Sequence, residues 1–310
     1  MAVAAGLLVL VLLSGSVYLL SYALVPDDNI GRDYRAEYRY LSEHYPETTP
    51  WLDSLRRAGA LRDTFITRDD GTRLHALMIP APLPTGRTAV LLHGYSRSAV
   101  WMLGIGYIYH HHMGFNLLLP DFYGHGKSDG RAAGMGWSDR PDVHRWMRIA
   151  ADRYRDSTGC AAVVVHGVSM GASAAMAVAG DRLPNEVKAI VEDCGYSSVW
   201  DEFRWQLDRE FGLPPFPLLY TASALCKLKY GWSFGEASML RCVAASKLPM
   251  LFVHGDRDTY VPTDMVRALY AAKPAPKSLY LAPGSKHTKS YRDHREAYVS
   301  RLKRFLAPYV

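Results

Sequence analysis

The sequence predicts an α/β protein built on a mostly parallel sheet of eight strands, with helices on both faces. Apolar runs of four to six residues recur along the chain and alternate with segments of helical periodicity. Before this alternation begins, two strand-like runs flank an Asp-Gly turn, which is typical of a hairpin. Strands that alternate with helices after an opening hairpin indicate a parallel sheet covered on both sides.

The first two strands are expected at 64–67 and 73–78, around the turn Asp69-Asp70-Gly71. The six runs that follow are mostly apolar without alternation, as in strands that are buried on both faces. They lie at 88–92, 116–119, 161–165, 187–191, 250–253 and 277–281.

Helical segments lie between these strands. Asp139 and Pro141 favour a helix start, and apolar residues then repeat at helical spacing through Val143, Trp146, Met147, Ala150 and Tyr154. The C-terminal segment repeats likewise over 299–306. These segments supply the helices that would cover the sheet.

The chain of 310 residues divides into three predicted parts: an apolar segment at 1–25, a linker with a packing helix at 26–62, and one large domain at 63–310. From Ala2 to Val25 no residue is charged, and Leu, Val and Ala dominate. A helix of this length crosses the roughly 30 Å hydrocarbon core of a bilayer. We therefore expect a transmembrane anchor or a signal segment at the N-terminus, and a buried core helix is the alternative.

The sequence does not decide whether this segment is cleaved or how it is oriented in the membrane. It lacks the positive start that is usual for a signal peptide, and only the Ser-Tyr-Ala triplet at 21–23 resembles a cleavage site. Arg32, Arg35 and Arg39 follow it, and the positive-inside rule then favours a cytoplasmic domain. We nevertheless expect a membrane-anchored or exported protein whose main domain lies outside the cytoplasm.

Composition excludes several classes of protein. The balance of residues is that of a globular protein rather than a disordered or fibrous one. The formal net charge of +6 is spread thinly, without a block of Lys or Arg, so nucleic-acid binding gains little support. The four cysteines show neither a Cys-x-x-Cys pair nor the spacing of metal ligands. The sequence leaves the oligomeric state open.

The most informative motif is Gly167-Val168-Ser169-Met170-Gly171. It follows the apolar run 161–165 and opens a helix of small residues at 172–180. A serine in this pattern between a strand and a helix is typical of a nucleophile elbow, a strained turn that holds the hydroxyl clear of the sheet. Glycines are needed on either side because a side chain would clash where helix and strand pack closely. A glycine-rich turn without a catalytic role is the alternative.

Together with this elbow, four further motifs resemble those of the α/β-hydrolase superfamily of serine hydrolases, over roughly residues 60 to 310. The set is specific to the superfamily, although no single motif indicates a substrate. The four motifs are His93-Gly94, Asp121-x-x-Gly124-His125-Gly126-x-Ser128, Gly255-Asp256-x-Asp258-x-x-Val261-Pro262 and His287.

The resemblance implies a catalytic triad, because the nucleophile, acid and histidine of this superfamily follow in that order along the chain. Ser169 is then the nucleophile, Asp258 the acid that precedes Val-Pro in its loop, and His287 the base. Asp193 ends the strand after the nucleophile, where some hydrolases carry their acid, and it is the alternative acid. A serine needs such a base because its hydroxyl is a poor nucleophile at its own pKa.

The resemblance also implies an oxyanion hole, the set of N–H groups that stabilises the tetrahedral intermediate. One donor is expected to be the backbone N–H of Met170, at the start of the helix after Ser169. The second is expected from the loop after His93-Gly94, as the backbone N–H of Tyr95. The Tyr95 side chain would add a hydroxyl donor or form a wall of the acyl pocket, and the sequence does not decide between them.

One segment, about 196–247, breaks the alternation of strands and helices and is too long for an ordinary connection. It is rich in Trp, Phe, Tyr and Leu and lies between Ser169 and the other predicted triad members. We expect a helical cap over the active site, with additional helical packing as the alternative.

The resemblance, together with this apolar cap, predicts that the protein hydrolyses a carboxylic ester and that its acyl substrate is a small molecule. No metal or organic cofactor is expected to take part. A serine peptidase of the prolyl or aminopeptidase type is the alternative, since cap carboxylates would hold a free amine. The cap carboxylates are Asp201, Glu202, Asp208 and Glu210. A thioesterase or an acyltransferase is a further hypothesis, and so is a binding module without catalysis.

Overall fold

The computed structural model of the protein describes residues 2–25 and 31–310. Met1 and residues 26–30, with which the predicted linker begins, lie outside that part of the chain.

The sheet has eight strands, in the order β1-β2-β4-β3-β5-β6-β7-β8. Their bounds are β1 Arg62–Thr67, β2 Arg73–Ile79, β3 Arg87–Leu92, β4 Asn116–Pro120, β5 Ala162–Val168, β6 Val187–Asp193, β7 Met250–Gly255 and β8 Lys277–Ala282. β1 and β2 form the predicted antiparallel hairpin, β2 also runs antiparallel to β4, and the remaining neighbours are parallel. The prediction of a mostly parallel eight-stranded sheet is confirmed.

Helices occupy most connections between the strands. Those before the cap are α1 Ala2–Leu24, α2 Tyr34–His44, α3 Thr48–Arg57, α4 Leu103–Tyr107, which continues as a π-helical turn Ile108–His112, α5 Arg140–Arg153 and α6 Met170–Ala179. Those from the cap onward are α7 Val199–Phe211, α8 Leu218–Tyr230, α9 Met239–Ala245, α10 Thr263–Ala272, α11 Ser290–Asp293 and α12 Arg295–Leu306.

Strand β3 shows how the two faces of the sheet are covered. Successive side chains of a strand point to opposite faces. Val90 and Leu92 pack into an apolar cluster with α5, α6 and α10, whereas Ala89 and Leu91 pack into another with α3, α4 and α12. All four side chains are fully buried. Helices therefore cover both faces, which explains why β3 lacks polar alternation.

The segment between β6 and β7 holds α7, α8 and α9. Helix α9 packs on α6 and α10, where a crossover helix between parallel strands would lie. Helices α7 and α8 instead line a cavity above the carboxyl end of β5, and α8 packs against α1. The part of the predicted cap that faces the site is thus the α7–α8 pair.

The predicted transmembrane span is not supported, because none of the helices within residues 2–25 and 31–310 is long and apolar enough to cross a membrane.

One side of α1 is instead packed against α8. The Ser16 hydroxyl is buried and forms a hydrogen bond with the Thr221 hydroxyl of α8. A Cβ atom on Gly15 would lie 3.2 Å from the Leu218 side chain, so the two helices approach closely. Leu20 and Leu24 are buried in the same apolar cluster as the cap. This side of the apolar segment therefore contributes to the protein core.

We predict that Leu91→Ala lowers the free energy of unfolding by about 2–5 kcal/mol, since it leaves a cavity in the centre of the sheet. Leu228→Ala is the matched control, because Leu228 on α8 is 85% exposed whereas Leu91 is 0% exposed. Urea denaturation of both variants measures the difference as a shift of the midpoint at unchanged slope. Equal shifts in the two variants would contradict the assigned core.

Candidate active site

Ser169 lies in a sharp turn between β5 and α6. Its backbone has φ 57° and ψ −118°, a region that residues with a side chain rarely adopt. Holding a residue there costs roughly 1–3 kcal/mol, and such strain concentrates at functional sites. The Ser169 N–H donates to the Asp193 carbonyl of β6 at 2.8 Å, which ties the turn to the neighbouring strand.

The two glycines of the elbow are required by the closeness of strand and helix. A Cβ atom on Gly167 would lie 2.0 Å from the Gly171 carbonyl oxygen. A Cβ atom on Gly171 would lie 2.0 Å from the carbonyl oxygen of Leu92 in β3. Both distances are far inside van der Waals contact, so any other residue at either position would force the elbow apart.

The structure brings Ser169, His287 and Asp258 together. His287 lies in the loop between β8 and α11, and Asp258 lies in the turn between β7 and α10. The Ser169 Oγ is 2.9 Å from His287 Nε2, and His287 Nδ1 is 2.7 Å from Asp258 Oδ2. A carboxylate only accepts, so Nδ1 carries the proton of the neutral imidazole and Nε2 is free to accept from the Ser169 hydroxyl.

Asp258 is buried yet held in its ionised form. Burial opposes ionisation, but hydrogen bonds from His254 and His287 outweigh it and lower the pKa of Asp258 to about 2. Its Oδ1 also accepts the backbone N–H groups of Tyr260 at 2.9 Å and Val261 at 3.0 Å. The carboxylate is therefore charged and fixed in orientation at neutral pH.

His254 is a partner of Asp258 that the sequence analysis did not identify. Its Nε2 lies 3.3 Å from Asp258 Oδ2 and donates to the Val261 carbonyl at 2.9 Å. The only sequence signal for this contact is that His254 lies near the end of β7, four residues before Asp258. The contact depends on the loop turning back over the strand, which spacing alone does not reveal.

Asp193, the alternative acid, lies at the end of β6 and is engaged elsewhere. Its Oδ2 accepts from the hydroxyl of Tyr298 on α12 at 2.8 Å. Burial raises the pKa of Asp193 to about 6. The structure thus places Asp258, rather than Asp193, at hydrogen-bond distance from His287.

The two predicted oxyanion donors flank Ser169. Met170 is the first residue of α6, where backbone N–H groups lack helical partners. In the loop after β3, a Cβ atom on Gly94 would lie 3.4 Å from Ser169 Cβ, so the loop that leads to Tyr95 is in contact with the serine. A hydrogen bond between His125 and the Tyr95 carbonyl also holds this loop in place.

A cavity of about 590 Å³ opens at Ser169, within the range of about 300–1,000 Å³ typical of small-molecule sites. Its walls are mostly apolar and aromatic, and the Tyr95 side chain is one of them. The N-terminal segment also contributes to the lining, which was not expected from the sequence, through Leu19, Tyr22, Ala23 and Val25. The cap contributes Tyr196, Glu202, Phe203, Gln206, Leu207, Glu210, Phe211, Leu219, Ala222 and Phe234.

The four cap carboxylates named from the sequence take different positions. Glu202 and Glu210 line the cavity. Asp201 accepts hydrogen bonds from the Ser197 and Ser198 hydroxyls, each at 2.7 Å, at the start of α7. Asp208 is exposed and does not belong to the described lining of the cavity.

Cys194, Asp258 and His287 place potential metal-ligand atoms within 4.8 Å of one another. Two of the three are already hydrogen-bonded to each other. Burial raises the pKa of the Cys194 thiol well above its usual range, which disfavours the thiolate that metals bind. The group is better explained by the Ser169-His287-Asp258 arrangement than by a metal.

Comparison with known proteins places these motifs in context. The model of the alpha/beta hydrolase family matches residues 89–305. The uncharacterised protein YqkD of Bacillus subtilis is 29% identical over 228 residues, which cover 73% of this chain and 73% of YqkD. The alpha/beta hydrolase domain-containing protein WAV2 of Arabidopsis thaliana is 25% identical over 279 residues, which cover 87% of this chain and 84% of WAV2.

Among solved structures, the Pyrococcus furiosus esterase Pf2001 is similar in fold. It superposes with a TM-score of 0.64 at 23% identity, covering 80% of this chain and 92% of the esterase. The alpha/beta hydrolase GrgF of a Penicillium species superposes with a TM-score of 0.61 at 18% identity. These likenesses show a shared fold.

Proposed function

The chain belongs to the alpha/beta hydrolase family, and from that premise we propose that it is a serine hydrolase that cleaves carboxylic esters. The observation that carries the proposal is the continuous hydrogen-bonded path from Ser169 Oγ through His287 to Asp258, with distances of 2.9 and 2.7 Å. These distances are those of a nucleophile held by its base and a base held by an acid.

In the proposed reaction, Ser169 Oγ attacks the acyl carbonyl and passes its proton to His287 Nε2. Asp258 keeps Nδ1 as the donor and stabilises the imidazolium that forms. His287 then protonates the departing alcohol as the bond between the carbonyl carbon and the alcohol oxygen breaks. A water molecule, activated by the same histidine, releases the acyl group from Ser169.

The tetrahedral intermediate carries negative charge on the former carbonyl oxygen. We propose the backbone N–H groups of Tyr95 and Met170 as its donors, because Met170 begins α6 directly after Ser169 and the loop that leads to Tyr95 contacts the serine. The N-terminal end of α6 adds the positive end of the helix dipole at the same place. A missing donor in such a site costs about 100- to 1,000-fold in rate.

The shape of the cavity supports an ester with an apolar acyl or alcohol group. Helices α1, α7 and α8 supply aromatic and aliphatic side chains to its walls. Burial of a substrate chain against them is favourable by about 25 cal/mol per Å² of apolar surface. α1 is part of this wall, so chain-length preference is expected to depend on the N-terminal helix.

We predict that a fluorophosphonate probe labels the full-length protein and that Ser169→Ala abolishes the labelling, because the probe needs an activated serine hydroxyl. Gel fluorescence of both proteins, with circular dichroism to verify folding, makes the measurement. A folded wild-type protein that does not react would refute the serine hydrolase proposal. Turnover of aminoacyl amides without turnover of any ester would replace the esterase by a peptidase.

We predict that Asp258→Asn lowers kcat for a chromogenic ester by roughly 10,000-fold, because the amide no longer enforces the reactive tautomer of His287. Asp193→Asn is the control of identical chemistry at the neighbouring strand end, and only a small change is expected. Steady-state kinetics of both variants measures the two changes in kcat. A large loss of kcat confined to Asp193→Asn would transfer the role of the acid to Asp193.

We predict that Leu19→Trp reduces kcat/KM for long-chain esters more than for acetate esters, because the indole fills part of the cavity. Leu13→Trp is the matched control on α1, since Leu13 is exposed and outside the described cavity lining. The ratio of kcat/KM across a series of acyl lengths measures the effect. An identical profile in the two variants would remove α1 from the substrate-binding wall.

A further inference from the structure

The loop after β3, which carries one proposed oxyanion donor, lies against helix α2. The loop begins with a tight turn in which the Arg97 N–H donates to the Gly94 carbonyl at 3.2 Å, and Tyr95 lies within this turn. Ser98 follows the turn directly and is fully buried. The position of Ser98 therefore determines where the turn ends, three residues after Tyr95.

Glu37 of α2 is a buried carboxyl group, and both of its oxygens contact this loop. It is 5% exposed. Its Oε1 accepts the backbone N–H of Ser98 at 3.0 Å, and its Oε2 accepts from the Ser98 hydroxyl. An ionised carboxyl group has acceptors only, so it matches two donors of one residue, whereas an amide offers a single acceptor oxygen. Hydrogen bonds to an ionised partner are also stronger than neutral ones. The contact thus fixes Ser98 in position.

Helix α2 packs closely on the loop and on the segment that continues it. Before Glu37, a Cβ atom on Gly31 would lie 2.7 Å from the Arg97 carbonyl oxygen. After Glu37, the Leu41 side chain is buried and would lie 3.5 Å from a Cβ atom on Gly104. The carboxyl group of Glu37 therefore reaches Ser98 from a helix that is in contact with the loop on either side of it.

A second buried carboxyl group holds the next residue of the loop. The Ala99 N–H donates to Asp121 Oδ1 at 2.7 Å. Asp121 belongs to one of the superfamily motifs, whereas Glu37 precedes the region 89–305 that matches the family model. The end of the loop is thus fixed both by the matched domain and by a helix that comes before it in the chain.

We propose that Glu37 is a positioning residue for the oxyanion hole: by fixing Ser98 it holds the backbone N–H of Tyr95 at the place where the oxyanion forms. The inference rests on the proposed ester hydrolysis at Ser169 and on Tyr95 as a donor. Misplacement of a catalytic group by 1 Å can cost about 100-fold in rate. Glu37 does not belong to the described lining of the cavity, so its loss should slow the chemical steps rather than weaken substrate binding.

The test measures kcat and KM for a plain chromogenic ester, together with the affinity for an alkyl trifluoromethyl ketone. Ser169 Oγ bonds to the carbonyl carbon of this ketone, the serine proton passes to His287, and the carbonyl oxygen becomes the oxyanion. The affinity therefore reports the oxyanion hole. Burial raises the pKa of Glu37 to about 7, although the Ser98 hydrogen bonds and the Arg97 charge act to lower it, so the assays are run above neutral pH.

We expect Glu37→Leu to lower kcat by about 100-fold and to weaken ketone binding by a similar factor, while KM changes little. Glu37→Gln keeps one acceptor oxygen, and a smaller loss of about 10-fold is expected. Where Glu37→Leu does not yield folded protein, Glu37→Gln decides with the same measurements. The matched control is Glu43→Gln, because Glu43 is exposed on the same helix, and all three quantities should stay unchanged.

A double-mutant cycle tests whether Glu37 acts through Ser98. Ser98→Ala removes the hydroxyl that donates to Glu37 Oε2. When it is combined with Glu37→Leu, the loss of kcat should be close to that of Glu37→Leu alone rather than the product of the two single losses. The stoichiometry of fluorophosphonate labelling gives the concentration of active protein, so a reduced folded fraction does not enter kcat.

Three results would overturn the inference: kcat and ketone affinity in the Glu37 variants equal to those of Glu43→Gln, a loss of activity explained by the labelled fraction alone, or independent effects of Glu37→Leu and Ser98→Ala. None of these affects the Ser169 proposal, which is tested by labelling and ester turnover of the wild-type protein. Failure of both in the wild type would instead remove the proposed function itself.

Discussion

The closeness of β3, β5 and α6 at the elbow is the constraint on which the rest of the site depends. Gly167 and Gly171 allow the helix to start directly against two strands, and Ser169 is left with a positive φ between them. The serine hydroxyl is then directed away from the sheet, and the N-terminus of α6 lies beside it. The loops after β3, β7 and β8 reach the same point because the carboxyl ends of parallel strands share one edge.

Burial acts to raise the pKa of each carboxyl group around this edge, but in one of them hydrogen bonding outweighs it. Glu192 and Asp193 end β6, and burial raises their pKa values to about 8 and about 6. Asp258 is also buried, but it accepts hydrogen bonds from two backbone N–H groups and from His287, His254 Nε2 lies 3.3 Å from it, and its pKa falls to about 2. A charged acid is needed to stabilise an imidazolium. The number of donors around each carboxyl, more than its position along the chain, therefore distinguishes Asp258 from its neighbours.

The sheet could be predicted from the sequence because each buried strand is a local apolar run with local turn signals. The approach of Ser169, Asp258 and His287 followed only from the superfamily resemblance, since 118 residues separate Ser169 from His287. The position of α1 could not be predicted. From the sequence alone, an uncharged apolar segment is compatible both with a membrane span and with a buried core helix, and only Ser16 and Gly15 at the α8 contact hint at close helix packing. His254 was missed because its contact needs the folded loop.

The parts of the molecule that carry the proposed chemistry and the parts that surround the substrate are different sets of elements. Ser169, Asp258 and His287 follow strands of the sheet, where packing on both faces fixes their positions. About half of the residues that line the cavity lie on α1, α7 and α8; α8 packs against α1, and α7 is hydrogen-bonded to the loop at Thr259 and Tyr260. Function in such folds varies in the elements added to a constant scaffold, and here those elements include the first helix of the chain.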